Sequence, residues 1–235
     1  MRGLIAAVVF ACAPGALGVV TTFESGAQGW SANGQVNVVP FNGNPTWNLD
    51  VNLIDTFGMA IRNTTNPAFL GNYTTLGAPL RLGIDVRTDS ITFFGSQVPR
   101  DLIVELRDTS APSSAGLPYV SVFAHLGTLS QSQPGWRSFG IDIADPNSPT
   151  LPQGWGGYGD EDQFGNPFLP ADRTFASVLA NVTEIHFTTL VPGFVYGFTN
   201  FDVAVDNIRL EVVPAPGAAA LLGMAGLAAA RRRRK

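Results

Sequence analysis

Between Thr21 and Val213 the apolar positions either alternate with polar ones or run continuously for a few residues, and no stretch sustains a 3.6-residue period. Gly, Pro, Asn and Asp punctuate these runs at short intervals. That pattern predicts an all-β sandwich. The expected strands are 19–24, 35–41, 48–53, 59–63, 80–88, 101–108, 120–129, 137–143, 182–190 and 201–213. Leu80, Leu82, Ile84 and Val86 alternate with Arg81, Gly83, Asp85 and Arg87, which puts an apolar row on one face and a charged row on the other. Ile103-Val104 and Val120 to Ala124 break the alternation, as expected of central strands buried on both faces.

One connection stands out for its length. Residues 144–180 contain five prolines and the run Gly154-Trp155-Gly156-Gly157-Tyr158-Gly159, and a loop of this size is usually functional or wraps a surface. Within it, 170–180 predicts one short helix, N-capped by Asp172 or Thr174, with Phe175, Val178 and Leu179 toward the sheet.

The two ends of the chain read differently. Met1-Arg2-Gly3 followed by an apolar run from Leu4 to Ala11 has the form of a secretory signal, too short to span a hydrocarbon core of about 30 Å. Ala16 and Gly18 fit a cut that makes Val19 the first mature residue, and a cut after Ala13 fits the same pattern. Phe10-Ala11-Cys12 loosely resembles a lipoprotein box, with Phe out of place. At the other end, Pro214-Ala215-Pro216 leads into an apolar stretch from Gly217 to Ala230 and then Arg231, Arg232, Arg233, Arg234 and Lys235. As a helix that stretch is roughly 21 Å long, short for a bilayer, and the basic cluster orients it tail-inside. The domain layout is therefore 1–18 signal peptide, 19–213 sandwich and 214–235 tail.

Removing the ends changes the composition. The full chain of 235 residues carries a formal charge of −4 with 45% apolar and 14% charged residues, but residues 19–213 hold eight arginines against all 18 acidic residues, a balance of −10. The mature segment has neither lysine nor cysteine. That charge excludes nucleic acid as a partner, and the absent thiol excludes disulfides and cysteine nucleophiles.

Three segments resemble known families. Val213-Pro214-Ala215-Pro216, the apolar stretch and Arg231 to Arg234 together resemble the PEP-CTERM sorting signal, a tripartite bacterial tail, with Ala215 where the motif usually has Glu. The resemblance implies processing by an exosortase at the inner membrane, transient anchoring by a transmembrane helix, then release to the cell surface or extracellular matrix. Thr22-Phe23-Glu24-Ser25-Gly26-Ala27-Gln28-Gly29-Trp30 resembles the opening strand of laminin B-like and carbohydrate-binding-module-like jelly rolls, and Phe201 to Leu210, with Asp206-Asn207, is similar to their closing strand. This implies a galactose-binding-like jelly-roll sandwich, here carrying one short helix in its long insertion and flanked by terminal hydrophobic helices. It also implies that Glu24 and Asp206, from adjacent first and last strands, hold a structural calcium ion, a hard cation that takes oxygen ligands.

Other chemistry is thin. Asp160-Glu161-Asp162 lacks the distal Glu of an EF-hand and reads as a solvated loop. His125 and His186 lie in strand patterns with no triad order around them. No catalytic residue is expected. Sugar-binding faces stack pyranose rings on exposed aromatics, and Trp155 and Tyr158 in the glycine-rich insertion are the expected ligand-binding pair. The leading expectation is a secreted, exosortase-sorted, non-catalytic surface or matrix protein with an adhesive or structural role. The alternative is a carbohydrate-binding module for extracellular polysaccharide, and a secreted glycoside hydrolase comes third.

Overall fold

The computed structural model describes residues 18–40, 44, 46–76, 79–110 and 112–213. Residues 1–17 of the expected signal peptide and the sorting tail, with Pro214, Ala215, Pro216 and Arg231 to Arg234, lie outside the described residues, as do the expected terminal helices, while Gly18 already belongs to the sandwich. Among the described residues no helix is long and apolar enough to cross a membrane.

The strands in chain order are β1 (Gly18–Thr21), β2 (Trp30–Ala32), β3 (Gln35–Pro40), β4 (Trp47–Thr56), β5 (Ala60–Asn63), β6 (Leu80–Phe93), β7 (Ser96–Gln97), β8 (Arg100–Asp108), β9 (Val120–Leu129), β10 (Trp136–Ile143), β11 (Trp155–Tyr158), β12 (Asp160–Glu161), β13 (Pro167–Phe168), β14 (Glu184–Thr188) and β15 (Thr199–Val212). They form two antiparallel sheets packed face to face. Sheet A has the order β10-β6-β15-β4-β3, with β1 added to β15 and β7 to β6. Sheet B has the order β11-β9-β8-β14-β5-β2, and β12 and β13 make a separate hairpin. The fold is thus the expected all-β, two-sheet sandwich.

The core forms where the period-two rows meet. Leu82, Ile84 and Val86 of β6 and Val203 and Val205 of β15 face Leu102, Val104 and Leu106 of β8 and Ile185 and Phe187 of β14, and all are buried. The signature residues Phe23 and Trp30 are also core, the Trp30 ring lying edge-on to Phe69 at 5.1 Å between centroids. In the long insertion the helix α1 (Phe175–Leu179) is shorter than 170–180 and is capped by Thr174, not Asp172. Thr174 Oγ1 accepts from Ser177 N–H and Ser177 Oγ returns to the Thr174 backbone, which fixes the helix start. Phe175, Val178 and Leu179 then close one end of the core.

The polarity of the strands decides what lies where. Gly18 pairs with Glu211 and Leu80 with Val212, so both ends of the described chain sit at one pole of the sandwich. The turns after β4, β6, β9 and β14 sit at the other, about 45 Å away along the 14 residues of β15.

Candidate functional site

Each sheet carries a buried polar cluster on its outer face. On sheet B the inward alternation of Leu102, Val104 and Leu106 turns Ile103, Glu105 and Arg107 outward. The register sets Ser121 opposite Arg107, Phe123 opposite Glu105, Glu184 opposite Arg107 and His186 opposite Glu105. Tyr158 of β11 falls opposite Ser121, on the same side. Two charged pairs of the form Glu-x-Arg and Glu-x-His therefore meet on one face.

Glu105 is 1% exposed, a cost that its partners offset. Its Oε2 accepts from Arg107 Nε at 2.9 Å and Nη2 at 2.6 Å, and its Oε1 accepts from Ser121 Oγ at 2.6 Å. Burial alone would pull the Arg107 guanidinium down, but the Glu105 charge holds it above its ordinary value, so it stays a cation. That cation lies over the Tyr119 ring at 4.2 Å from the centroid, and the Tyr119 and Tyr158 rings are 5.1 Å apart. Burial, then the Glu105 charge, push the Tyr119 hydroxyl well above its usual range, so it remains a neutral donor.

His186 completes the row. Its Nε2 meets Glu184 Oε2 at 2.9 Å, while burial and then the Arg107 charge lower its pKa and keep the ring neutral. A carboxylate can only accept, so Nε2 carries the proton and Nδ1 is a bare acceptor, buried and without a partner. The face as a whole offers two aromatic rings, a cation stacked beside them, and a carboxylate at Glu184.

Of the expected ligand-binding pair, the structure separates the two members. Tyr158 points outward. Trp155 is opposite Ala124 on the inner side, 8% exposed and edge-on to Phe175 at 5.1 Å, so it is a core residue and no platform. Alternation along β11 makes this unavoidable, since residues three apart on a strand face opposite ways. Tyr119 takes the place beside Tyr158 that Trp155 was expected to fill.

On sheet A the cluster is centred on the closing strand. Asp206 lies directly opposite Asp85, and both are buried. Asn207 and Ile208 together oppose the single residue Ile84, a bulge with Asn207 at φ 46°. Asp85 accepts from Ser138 Oγ at 2.6 Å, Arg209 Nη2 at 2.8 Å, Asn44 Nδ2 at 2.9 Å and Asn207 Nδ2 at 3.0 Å. Among the described residues Asp206 accepts from backbone donors, Asn207 N–H at 2.7 Å and Asn44 N–H at 2.8 Å. Burial pushes its carboxyl up to about 6 despite those donors, and the Asp85 and Glu24 charges add to the rise. Glu24 is exposed and accepts from Thr46 Oγ1 at 3.2 Å.

The donor set suits a hard cation in part. Glu24 and Asp206 are brought within electrostatic reach of each other, and Asn48, 1% exposed, has both amide atoms without a partner among the described residues, one residue before the Leu49 that pairs with Val205. Among the described residues no three His, Cys, Asp or Glu side chains gather around one point. The further oxygens would therefore come from amides and carbonyls, which calcium accepts.

The remaining candidates are placed plainly. Asp162 accepts from Phe164 N–H, Asn166 N–H and Asn166 Nδ2, so the acidic run is the stop of a hairpin turn. His125 is exposed, 3.3 Å from Asp101, on a different row of sheet B from His186. Val213 donates its N–H to Pro79 O at the last described position.

No protein-family model matches the chain. No curated protein sequence matches it either. Among solved structures it is similar to a xylan-binding domain of carbohydrate-binding module family 22, at 12% identity and TM-score 0.43 over 83% of this chain and 93% of that one. It is similar to an exo-beta-agarase, at 12% identity and TM-score 0.48, of which it spans 24%. It is also similar to a carbohydrate esterase from the Shiga toxin-encoding bacteriophage phi24B, at 14% identity and TM-score 0.44 over 83% of this chain and all of that one.

Proposed function

We propose that the protein is a secreted, non-catalytic sandwich that binds extracellular polysaccharide through the outer face of sheet B. One observation carries this reading: Tyr119 and Tyr158, 5.1 Å apart, lie beside the Arg107 cation with Glu184 next to it. Aromatic rings flanked by charged hydrogen-bonding groups match the amphipathic surface of a sugar, whose C–H face stacks and whose hydroxyls bond. The acidic groups of this face hold arginine, serine or histidine and do not stand free as an acid and base pair, which favours binding over hydrolysis.

Export and sorting belong to the same proposal. A module of this kind, released by an exosortase, would attach to or crosslink matrix polysaccharide, which gives the adhesive role a molecular basis. Calcium at Glu24 and Asp206 is the proposed inorganic partner, with Asn48 supplying an amide oxygen; it would tie the turn after β1, where Glu24 lies beyond the end of the strand, to the last strand and neutralise the Glu24, Asp85 and Asp206 charges. Binding isotherms on a polysaccharide panel test the reading: Tyr158→Ala weakens binding by roughly tenfold, about 1.4 kcal/mol, while a protein that binds no glycan refutes it.

A further inference from the structure

The pole of the sandwich opposite the termini carries an apolar surface that the polysaccharide face does not use. Three segments build it: the end of β4 with the turn after it (54–58), the β6–β7 turn with the residues after it (93–99), and the loop 190–198. Ile54 is 72% exposed, Phe57 51%, Phe94 89%, Phe194 58%, Val195 81% and Phe198 53%. The segments form one surface. The Phe57 and Phe198 rings lie 4.5 Å apart, and a methyl at Gly197 would stand 2.5 Å from Phe93 Cε2, so that ring packs on the 190–198 loop.

Phe94 shows that this exposure is not incidental. It turns the tight connection between β6 and β7 at φ 48°, ahead of Gly95 at φ 78°. Turns with both central residues left-handed favour Asn-Gly or Asp-Gly, and a bulky side chain there is strained. The ring accepts that strain while meeting Phe93 edge-on at 4.6 Å and giving water most of its surface. Its benefit lies outside the monomer.

We infer that this pole is a homodimer interface on which a second copy of the chain docks tip to tip. Charge selects the partner. The three segments hold a single charged residue, Asp55, on a mature chain whose balance is −10. Tip-to-tip association therefore brings Asp55 alone from these segments into the contact, with Asp101 and Asp202 on the strands that lead into it. No lysine or arginine on these loops stands ready for an anionic lipid headgroup; Arg100, just beyond them, stacks on Tyr196 at 4.4 Å and donates to Thr199. Area agrees: at about 200 Å² for a fully exposed Phe, the six side chains offer roughly 700 Å² of apolar surface, close to the roughly 800 Å² per partner of a standard interface. A two-fold axis through the tip buries the same patch on both copies and closes the assembly.

Sedimentation velocity of the full chain across a wide concentration range tests this. The expected result is a reversible dimer whose dissociation constant rises by about a hundredfold in the Phe94→Ser, Phe194→Ser double variant, with a folded variant whose melting temperature matches the parent's at concentrations where both are monomeric. A second measurement uses Ser96→Cys, where oxidation should yield a tip-linked dimer that the double variant suppresses. A monomer at every concentration overturns the inference, as does a dimer insensitive to the two substitutions. A monomer that binds phosphatidylcholine vesicles through Phe94 overturns it in favour of a lipid surface.

Discussion

Asp206 is the residue at which the molecule's chemistry is most exposed to test. Its carboxyl is raised to about 6 in the fold, against an ordinary value near 3.9. The folded protein therefore binds this proton more tightly than the unfolded chain, and protonation favours folding. That stabilisation is present below about pH 4 and is lost as the pH rises through about 6. A bound cation would replace the proton as counter-charge. The metal-stripped protein should accordingly melt at a lower temperature at pH 8 than at pH 5, and calcium should raise the melting temperature far more at pH 8. Glu24→Gln, at an exposed position, should shrink that calcium shift without unfolding the chain. A melting temperature indifferent to calcium at both values, measured by calorimetry, would remove calcium from the account. Glu24 and Asp206 were legible in the sequence because they lie in the opening and closing strand motifs. Asp85 was not, since a charge in an alternating strand reads as solvent-facing until the register sets it opposite a second carboxylate.

At the scale of elements most strands were readable, whereas the end of β6 beyond 88 and the short β2, β7, β11, β12 and β13 were not. β9 lies at the expected positions, and β8 and β10 start one residue early, because dense β-branched and apolar runs fix them. β11 is a strand made of Gly-rich sequence, which carries no period-two signal. Its glycines are filled from outside: a methyl at Gly156 would stand 2.4 Å from the Phe123 ring and one at Gly157 2.4 Å from Leu169 Cγ. Any larger residue at Gly156 should therefore displace Phe123 from the sheet B face. The helix depends likewise on one local device, the Thr174 and Ser177 capping box. Thr174→Ala should cost about 1 kcal/mol and lower the melting temperature by about 2–4 °C, whereas Thr174→Ser should retain most of the stability. An alanine variant that melts like the parent in a calorimetric scan would show that Phe175, Val178 and Leu179 hold the helix by packing alone.

The whole molecule has a direction. Both ends of the described chain leave from one pole, the apolar loops crown the other, and the tyrosine-bearing face of sheet B lies along the side between them. A tail held at a membrane would leave the side face open to polymer and the crown free for a second copy. Dimerisation would double the glycan sites on one particle, so avidity on a repeating polymer should exceed the single-site affinity, and the Phe94→Ser, Phe194→Ser variant should lose that gain while keeping its intrinsic affinity for a short oligosaccharide. Tyr158 was legible in the sequence, and the rest of these two surfaces was hidden for different reasons. The side face needs four strands brought into register, and the crown gathers loops from three distant segments whose phenylalanines read locally as core. The measurement that bears most directly on the central claim is a glycan-array titration of the parent protein and Tyr158→Ala side by side. Saturable binding of the parent to a polysaccharide, weakened by roughly tenfold in the variant, is the predicted result; no binding by the parent, or identical binding by both proteins, would contradict it.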